Sequence, residues 1–245
     1  RYDYVLIFDN DALADRHMLN KLATAMATDQ TVGICGPKIL ERENRRRIYR
    51  AGCTHWKLTY LHSFTEIIRR LFAVAGRELP DAFDTIRGKG KKDCGQFDTG
   101  RRIDFQLGAA TLIRCSLFED IGLLDEQFNP YGSEDIDFCI RARKSGWKIE
   151  YVPTAVCWHP AAEHDPDNYD RCYQNTKNIL ILARKNLSTL YFWFIFLPDF
   201  TLVTIPLMLV ETLIKKWHQR KRAIVDAIKW NLYDARVRGL FIGNR

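Results

Sequence analysis

The apolar run Val5-Leu6-Ile7-Phe8, led in by Tyr2-Asp3-Tyr4, stops abruptly at Asp9-Asn10-Asp11, and this stretch constrains the fold more than any other. An uninterrupted run of β-branched and aromatic residues reads as a strand buried on both faces, as in a parallel sheet. In an open α/β sheet, ligands bind beyond the carboxyl ends of such strands. Asp9 and Asp11, two residues apart on a non-helical turn, can converge on one cation. Hard oxygen ligands of this kind suit Mg²⁺ or Mn²⁺, with positions left for water and phosphate oxygens. Asp and Asn also end strands and open turns for purely local reasons, and both readings stay open on these residues alone.

The pattern that follows is that of an α/β unit. Asp15 is placed to cap a helix reaching about Thr28, with Met18, Leu19, Leu22 and Met26 forming its buried stripe. Residues 31–40 read as a second strand broken at Gly36-Pro37, and 41–47 as a solvated hairpin tip that returns through Ile48 to Gly52. Between Lys57 and Arg102 the spacing of Leu58, Leu61, Phe64, Ile67, Ile68, Leu71 and Phe72 predicts an amphipathic helix. It is followed by a flexible basic loop at Arg87–Lys92, either a lid over an anionic ligand or a solvated, disordered insertion. Ile103 to Leu107 reads as a strand ending in Gly108-Ala109-Ala110. Three small residues there allow close approach by a ligand or simply by a packed helix.

A second acidic cluster opens a later helix. Asn129-Pro130-Tyr131-Gly132 is turn chemistry, and Glu134-Asp135 begins a helix running to about Lys144. Carboxylates in a first turn are stabilised by free N–H groups and the macrodipole, which accounts for their being acidic. The same field keeps them ionised, the state a general base requires. Trp147 to Val152 is a further strand, and the run from Pro153 ends at Trp158-His159 much as the first strand ends at its acids.

Composition bounds the setting. The 245 residues, 47% hydrophobic, can bury a large core, and the seven cysteines stand singly with no C-x-x-C pair. That pattern argues against a zinc site or a disulfide framework and fits a reducing cytosolic compartment. Charge is uneven: from Arg171 onward there are 13 Lys or Arg against 4 Asp or Glu, whereas the first 170 residues carry 24 against 26. A basic tail flanking apolar segments, with no nucleic-acid-binding module, points to a membrane surface. Leu187 to Ile214 is strongly apolar but contains Pro198-Asp199, Pro206 and Glu211, and basic residues flank both ends. An acid within lipid is costly, so a broken, re-entrant or interfacial pair of helices is expected rather than one spanning helix or a buried hairpin. A basic amphipathic helix from Ala223 to Gly239 completes the tail.

The phrases YVLIFDND, GPKIL, IYRAG, DFQLGAATLIRCSLFEDIGLLDEQF, SEDIDFCIRARKSGWKIEYVP and VCWH resemble family 2 glycosyltransferases, most closely the bacterial rhamnosyl- and galactofuranosyltransferase-like branch. The resemblance covers Tyr2 to about Asn186, and the ending at residues 235–239 is similar too. It implies an α/β, A-type glycosyltransferase fold with a Rossmann-like mixed sheet, lacking its first strands because the chain is N-terminally truncated. Residues 1–186 would be the C-terminal part of the catalytic domain, and residues 187–245 a helical membrane-associated tail. By the same resemblance the chemistry is inverting transfer from a nucleotide-diphosphate sugar to a glycan or lipid-linked acceptor. Asp9 and Asp11 would hold Mg²⁺ or Mn²⁺ and the donor, with His159 as third metal ligand. Gly108 and Ala109 would lie against the donor, and Asp135, in preference to Glu134, would be the catalytic base. The expected location is the cytoplasmic face of the cell membrane, without nucleic acid, and the truncated piece is expected to be inactive alone. Two other readings remain: a non-catalytic membrane-bound binding protein of this fold, and a metal-dependent phosphoryl-transfer enzyme using the same acids with a second ion near Glu134 and Asp135.

Overall fold

The computed structural model describes residues 2–54, 86–161 and 165–237, the last four by backbone alone. The helix expected over residues 58–72 lies outside the described residues. The chain forms two compact units, residues 1–59, 77–125 and 135–162 in one, and 60–76, 126–134 and 163–245 in the other.

The first unit is built on a mixed sheet. Its strands are β1 (Tyr4–Phe8), β2 (Leu13–Ala14), β3 (Val32–Glu41), β4 (Ile48–Arg50), β5 (Arg101–Arg102), β6 (Ala110–Arg114) and β7 (Lys148–His159). The order is β1-β6-β3-β7-β2, with β4 on β3 and β5 on β7. Among the described residues only β3 and β7 pair in parallel; β1–β6, β6–β3 and β7–β2 are antiparallel.

This topology corrects the reading of β1. Among the described residues it is an edge strand whose only ladder is with β6, and Val5, Ile7 and Phe8 are exposed. The strand buried on both faces is β3, continuously buried from Val32 to Leu40. Its residues enter two cores, Ile34 and Leu40 on one side, Val32, Cys35 and Ile39 on the other, with a register shift between Val32 and Ile34. Nor is β3 broken at Gly36-Pro37. Pro37 pairs with Val152 and Lys38 with Val156, so three extra residues of β7, beginning at Pro153, bulge opposite that step. A bulge absorbs the ladder bonds that proline cannot make, which also lets β7 run unbroken to His159.

Helix α1 (Met18–Thr28) covers one face, burying Met18, Leu22 and Met26. Leu19, expected in that stripe, is exposed, one step round the helix from the i, i+4 row. The helix starts later than an Asp15 cap would place it. The Asp15 carboxylate accepts from the His17 N–H and its carbonyl from the Met18 N–H, forming an Asx turn before the first helical residue. The other face holds α2 (Cys115–Ile121), closed by Gly122 at φ +75°, and α3 (Glu134–Lys144). Asp137 of α3 is fully buried and paired with Arg141 at 2.9 Å, and the Arg141 guanidinium also holds the Ile121 and Leu123 carbonyls.

Two loop readings change. The backbone of 87–91 exchanges hydrogen bonds with Ile48, Ala51 and Gly52, so this basic segment is tied along β4. Buried Lys38 pairs with Asp93 at 2.9 Å and with Asp98, fastening the residues beyond it. Residues 103–107 form no regular strand; they are held by single contacts to Cys53 and Ile149. Gly108 to Ala110 therefore lead into β6 rather than closing a strand before it.

The second unit contains α4 (Tyr169–Asn186), the apolar helix α5 (Thr189–Ile214) and α6 (His218–Val237). The expected break in the apolar stretch is absent. Wide π turns at Phe192–Phe196 and Asp199–Thr204 precede Pro198 and Pro206. A widened turn spares each proline the i−4 bond it cannot donate, so the helix continues through both. All seven cysteines are free thiols.

Leu22→Ala, at a fully buried position on α1, is expected to lower the free energy of unfolding by about 2–5 kcal/mol. Leu19→Ala should change it by no more than about 0.5 kcal/mol. Urea unfolding followed by circular dichroism compares the two, and equal losses would contradict the assigned helix face.

Candidate active site

The short step from β1 to β2 assembles the site. Phe8 pairs with Ala110, and the ladder continues one residue further, the Asp9 N–H donating to the Ala109 carbonyl at 3.0 Å. Leu13 and Ala14 pair with Trp158 and Cys157. Residues 9–12 are thus pinned to β6 at one end and β7 at the other, on opposite edges of the sheet. Five residue steps reach at most about 18 Å, whereas four strand spacings come to about 19 Å, so the sheet must curl for the chain to cross. The crossing passes His159, the next residue of β7.

His159 Nε2 lies 3.5 Å from Asp9 Oδ2 and 3.4 Å from Asp11 Oδ1. One ligand atom from each of the three residues lies within 4.8 Å of the others. The imidazole is held from behind. Its Nδ1 is 2.8 Å from the Pro160 carbonyl, and its ring stacks on Tyr49 at 4.7 Å between centroids. A carbonyl only accepts, so Nδ1 carries the hydrogen and Nε2 is the atom turned to the carboxylates. The 3.4–3.5 Å separations exceed an N–H···O hydrogen bond. A neutral ring there sets its lone pair against carboxylate lone pairs, an arrangement that a cation between them relieves. The donor set fits a divalent ion with mixed oxygen and nitrogen preference.

The two acidic clusters meet through the backbone of 108–110. The Ala109 N–H donates to Asp9 Oδ2 at 2.8 Å, and the Gly108 N–H to Asp135 Oδ2 at 3.3 Å. Consecutive peptide groups therefore hold one carboxylate from each cluster. The other Asp135 oxygen accepts from the Ile136 N–H at 2.8 Å. Ala109 takes φ +84°, a left-handed conformation that costs a non-glycine residue about 1–3 kcal/mol. A side chain at Gly108 would rest on the Asp9 carboxylate, so glycine keeps that carboxylate uncovered.

Supports for this strap went unrecognised in the sequence. Arg50 Nη1 donates to the Gly108 carbonyl at 3.1 Å, and the Gln106 amide to the carbonyls of Leu107 and Ala110. Arg50 Nε and Gln106 Oε1 are buried and have no hydrogen-bond partner among the described residues. Gln106 lies over Gly36, where an added Cβ would come within 2.0 Å of its Cδ. A polar residue between Phe105 and Leu107 was the available signal. Arg42, whose Nη1 donates to the Asp11 carbonyl at 3.3 Å, offered none.

The structure thus brings Asp9, Asp11 and His159 together and links Asp9 to Asp135 through Gly108 and Ala109. Glu134, first residue of α3, groups with the second unit, and its Oε2 is buried without a partner among the described residues. Cysteine nucleophiles find no support in the first unit's core. Burial pushes the Cys35 and Cys157 thiols up to about 12 and raises Cys139 further, so all three are protonated at neutral pH.

The curled α/β sheet thus sets a group that could hold a metal ion beside a carboxylate fixed by backbone N–H groups. Residues 1–172 match the model described as "Glycosyltransferase like family 2", and the chain belongs to that family, whose enzyme class is glycosyltransferase. No curated protein matches it. Among solved structures it is similar to a "Crystal structure of GalNAc-T7 with UDP, GalNAc and Mn2+", with 15% identity over 74% of this chain and 31% of that one, at a TM-score of 0.44. It is also similar to "Mannosyltransferase PcManGT from Pyrobaculum calidifontis in complex with GDP-Man and Mn2+", with 14% identity over 95% and 63%, at a TM-score of 0.43. The chain spans about a third of the first and less than two thirds of the second.

Mn²⁺ is expected to raise the thermal midpoint, by about 2.7 kcal/mol of linkage at a hundredfold excess over its dissociation constant. Asp11→Asn, at a half-exposed side chain, should leave the metal-free midpoint unchanged and abolish the increment. Differential scanning calorimetry with and without Mn²⁺ measures both. Gly36→Ala should displace Gln106 and cost about 1–3 kcal/mol, with a weaker Mn²⁺ response that reports loosening of the strap.

Proposed function

We propose that the protein transfers a sugar, with inversion, from a nucleotide-diphosphate donor to an acceptor hydroxyl. The observation that carries this reading is the strap 108–109, which holds Asp9 of the metal-ligand group and Asp135 by adjacent N–H groups. Within the family, we assign the chain to the rhamnosyl- and galactofuranosyltransferase-like branch, on the motif series and on His159. The acceptor would be a lipid-linked or cell-surface glycan, reached from the cytoplasmic face of the membrane. Residues 1–186 would carry the catalytic work and 187–245 the attachment.

Asp9, Asp11 and His159 would hold the divalent ion, and the imidazole nitrogen favours Mn²⁺ over Mg²⁺. When bound, the ion supplies positive charge where the leaving diphosphate gathers negative charge. Asp135 is the base. Two N–H groups donating to its oxygens fix its orientation, and it accepts the proton of the attacking hydroxyl. Gly108, without a side chain, leaves space for the donor over Asp9. The phosphoryl-transfer reading needs a second ion at Glu134 and Asp135. Among the described residues, the convergent group is Asp9, Asp11 and His159.

The test separates binding from turnover in the full-length protein. Nucleoside diphosphate binding in Mn²⁺ is measured by calorimetry, and donor consumption by single-turnover assay. Asp135→Asn should retain binding and lose about 10²–10⁴-fold in rate, whereas Asp11→Ala should lose the Mn²⁺-dependent binding itself. A parental rate in Asp135→Asn would remove the base assignment. Intact binding with no turnover in the parent would establish the non-catalytic reading instead.

A further inference from the structure

Helix α5 has 26 residues and is apolar enough to cross a bilayer, yet only 17% of its most apolar window is buried within the protein. Length and composition fit a spanning helix and a helix lying in the membrane surface equally well. Its neighbours in the second unit distinguish the two.

Helices α4 and α6 pack in parallel. The Arg220 N–H donates to Asp167 just before α4 at 2.7 Å, Tyr169 donates to Asp226 at 3.0 Å, and Asn231 donates to the Lys177 carbonyl at 3.3 Å. Partners rise together along both helices. The intervening α5 must therefore run back from the end of α4 to its beginning, and it packs on α4 near its own start and on α6 in its last turns. Its inward face is a ladder of stacked Phe192, Phe196 and Phe200, followed by buried Thr204 and Thr212. Both acids are satisfied within the protein: Asp199 accepts from Thr204 at 3.2 Å, and Glu211 pairs with Arg220 at 3.4 Å. The outward face is different in kind. Leu190, Phe194, Leu202, Leu213 and Ile214 are each 61–75% exposed.

We infer that α5 is a monotopic anchor, lying along the surface of an anionic bilayer with this outward face immersed and neither end crossing. A crossing α5 would have to take α4 and α6 with it or shed them. α6 carries Arg220, Lys221, Arg222 and Lys229, and each cation at the bilayer centre costs about 2.5–3.5 kcal/mol. Cations also stand at both ends of α5, Arg184 and Lys185 before it, Lys215 and Lys216 after it. Lying flat, the helix brings both groups to anionic headgroups on the same side; crossing would send one group to the far side. The inference rests on the second unit alone and does not depend on sugar transfer.

The test uses the whole chain and vesicles of phosphatidylcholine with or without phosphatidylglycerol. Co-sedimentation should be at least about tenfold tighter with the anionic vesicles. Phe194→Glu with Leu202→Glu should abolish it without changing the circular dichroism spectrum or thermal midpoint. For depth, Leu202→Trp is compared with the parent for quenching by lipids brominated near the headgroup or at the chain end. The added fluorescence should be quenched more by the shallow bromines. Stronger quenching at the chain end would show a spanning helix and overturn the proposal. A dimer by light scattering with no vesicle binding would also overturn it, assigning the face to a second copy of the chain.

Discussion

Two adjacent peptide N–H groups, those of Gly108 and Ala109, organise the chemistry of this protein. Each donates to a carboxylate from a different part of the chain, one after β1, the other opening α3. Both lie where regular structure begins or ends, one after β1 and one in the first turn of α3. Held by neighbouring atoms of one backbone, they keep a fixed relation. Hydrogen bonds to a charged acceptor are among the stronger ones, and here they set the spacing between the proposed metal ligands and the proposed base. The unfavourable φ of Ala109 is the cost of pointing its N–H at Asp9. Arg50 and Gln106, each fastened to a carbonyl of the strap, over-determine that conformation.

Much of this was legible in the sequence, and the failures have physical causes. Asp9, Asp11 and His159 were each singled out because each follows an apolar run, the one-dimensional sign of a strand end. Their meeting was implied by the family resemblance but not by the local pattern, because it depends on β2, a two-residue strand too short to carry one. β1 was read as the strand buried on both faces, a place that β3 takes. Apolar continuity signals burial only when neighbours exist on both sides, and strand order is not written in any local window. Gly36-Pro37 looked like a break because proline cannot complete a ladder. The compensating bulge lies more than a hundred residues away on β7. In the tail, prolines and acids argued for interruption. The π turns and the Thr204 and Arg220 partners that accommodate them are visible only in three dimensions.

The second unit reaches a comparable balance by different means. Its apolar helix is not simply hydrophobic; it has a protein-facing side carrying Phe192, Phe196, Phe200, Thr204 and Thr212, and a largely apolar opposite side. Arg220 of α6 pairs with Glu211, and the parallel packing of α4 and α6 fixes where the two ends of α5 can be. Sequence hydropathy reports the sum over both sides and so cannot separate a helix that crosses from one that rests.

The crossing of the sheet between Phe8 and Leu13 also bears on how the chain reaches its native state. Asp9 and His159 are 150 positions apart, and β1 waits for β6 while β2 waits for the last residues of β7. Every ladder that fixes the amino-terminal acids is therefore non-local, and loop-closure entropy must be met before any of them forms. β1 precedes β6, its partner among the described strands, by about a hundred residues, and that ladder cannot form until β6 is made. Such an edge is a template for mispairing between chains. The geometry that draws Asp9, Asp11 and His159 together at the end of folding leaves β1 waiting for β6 at its beginning.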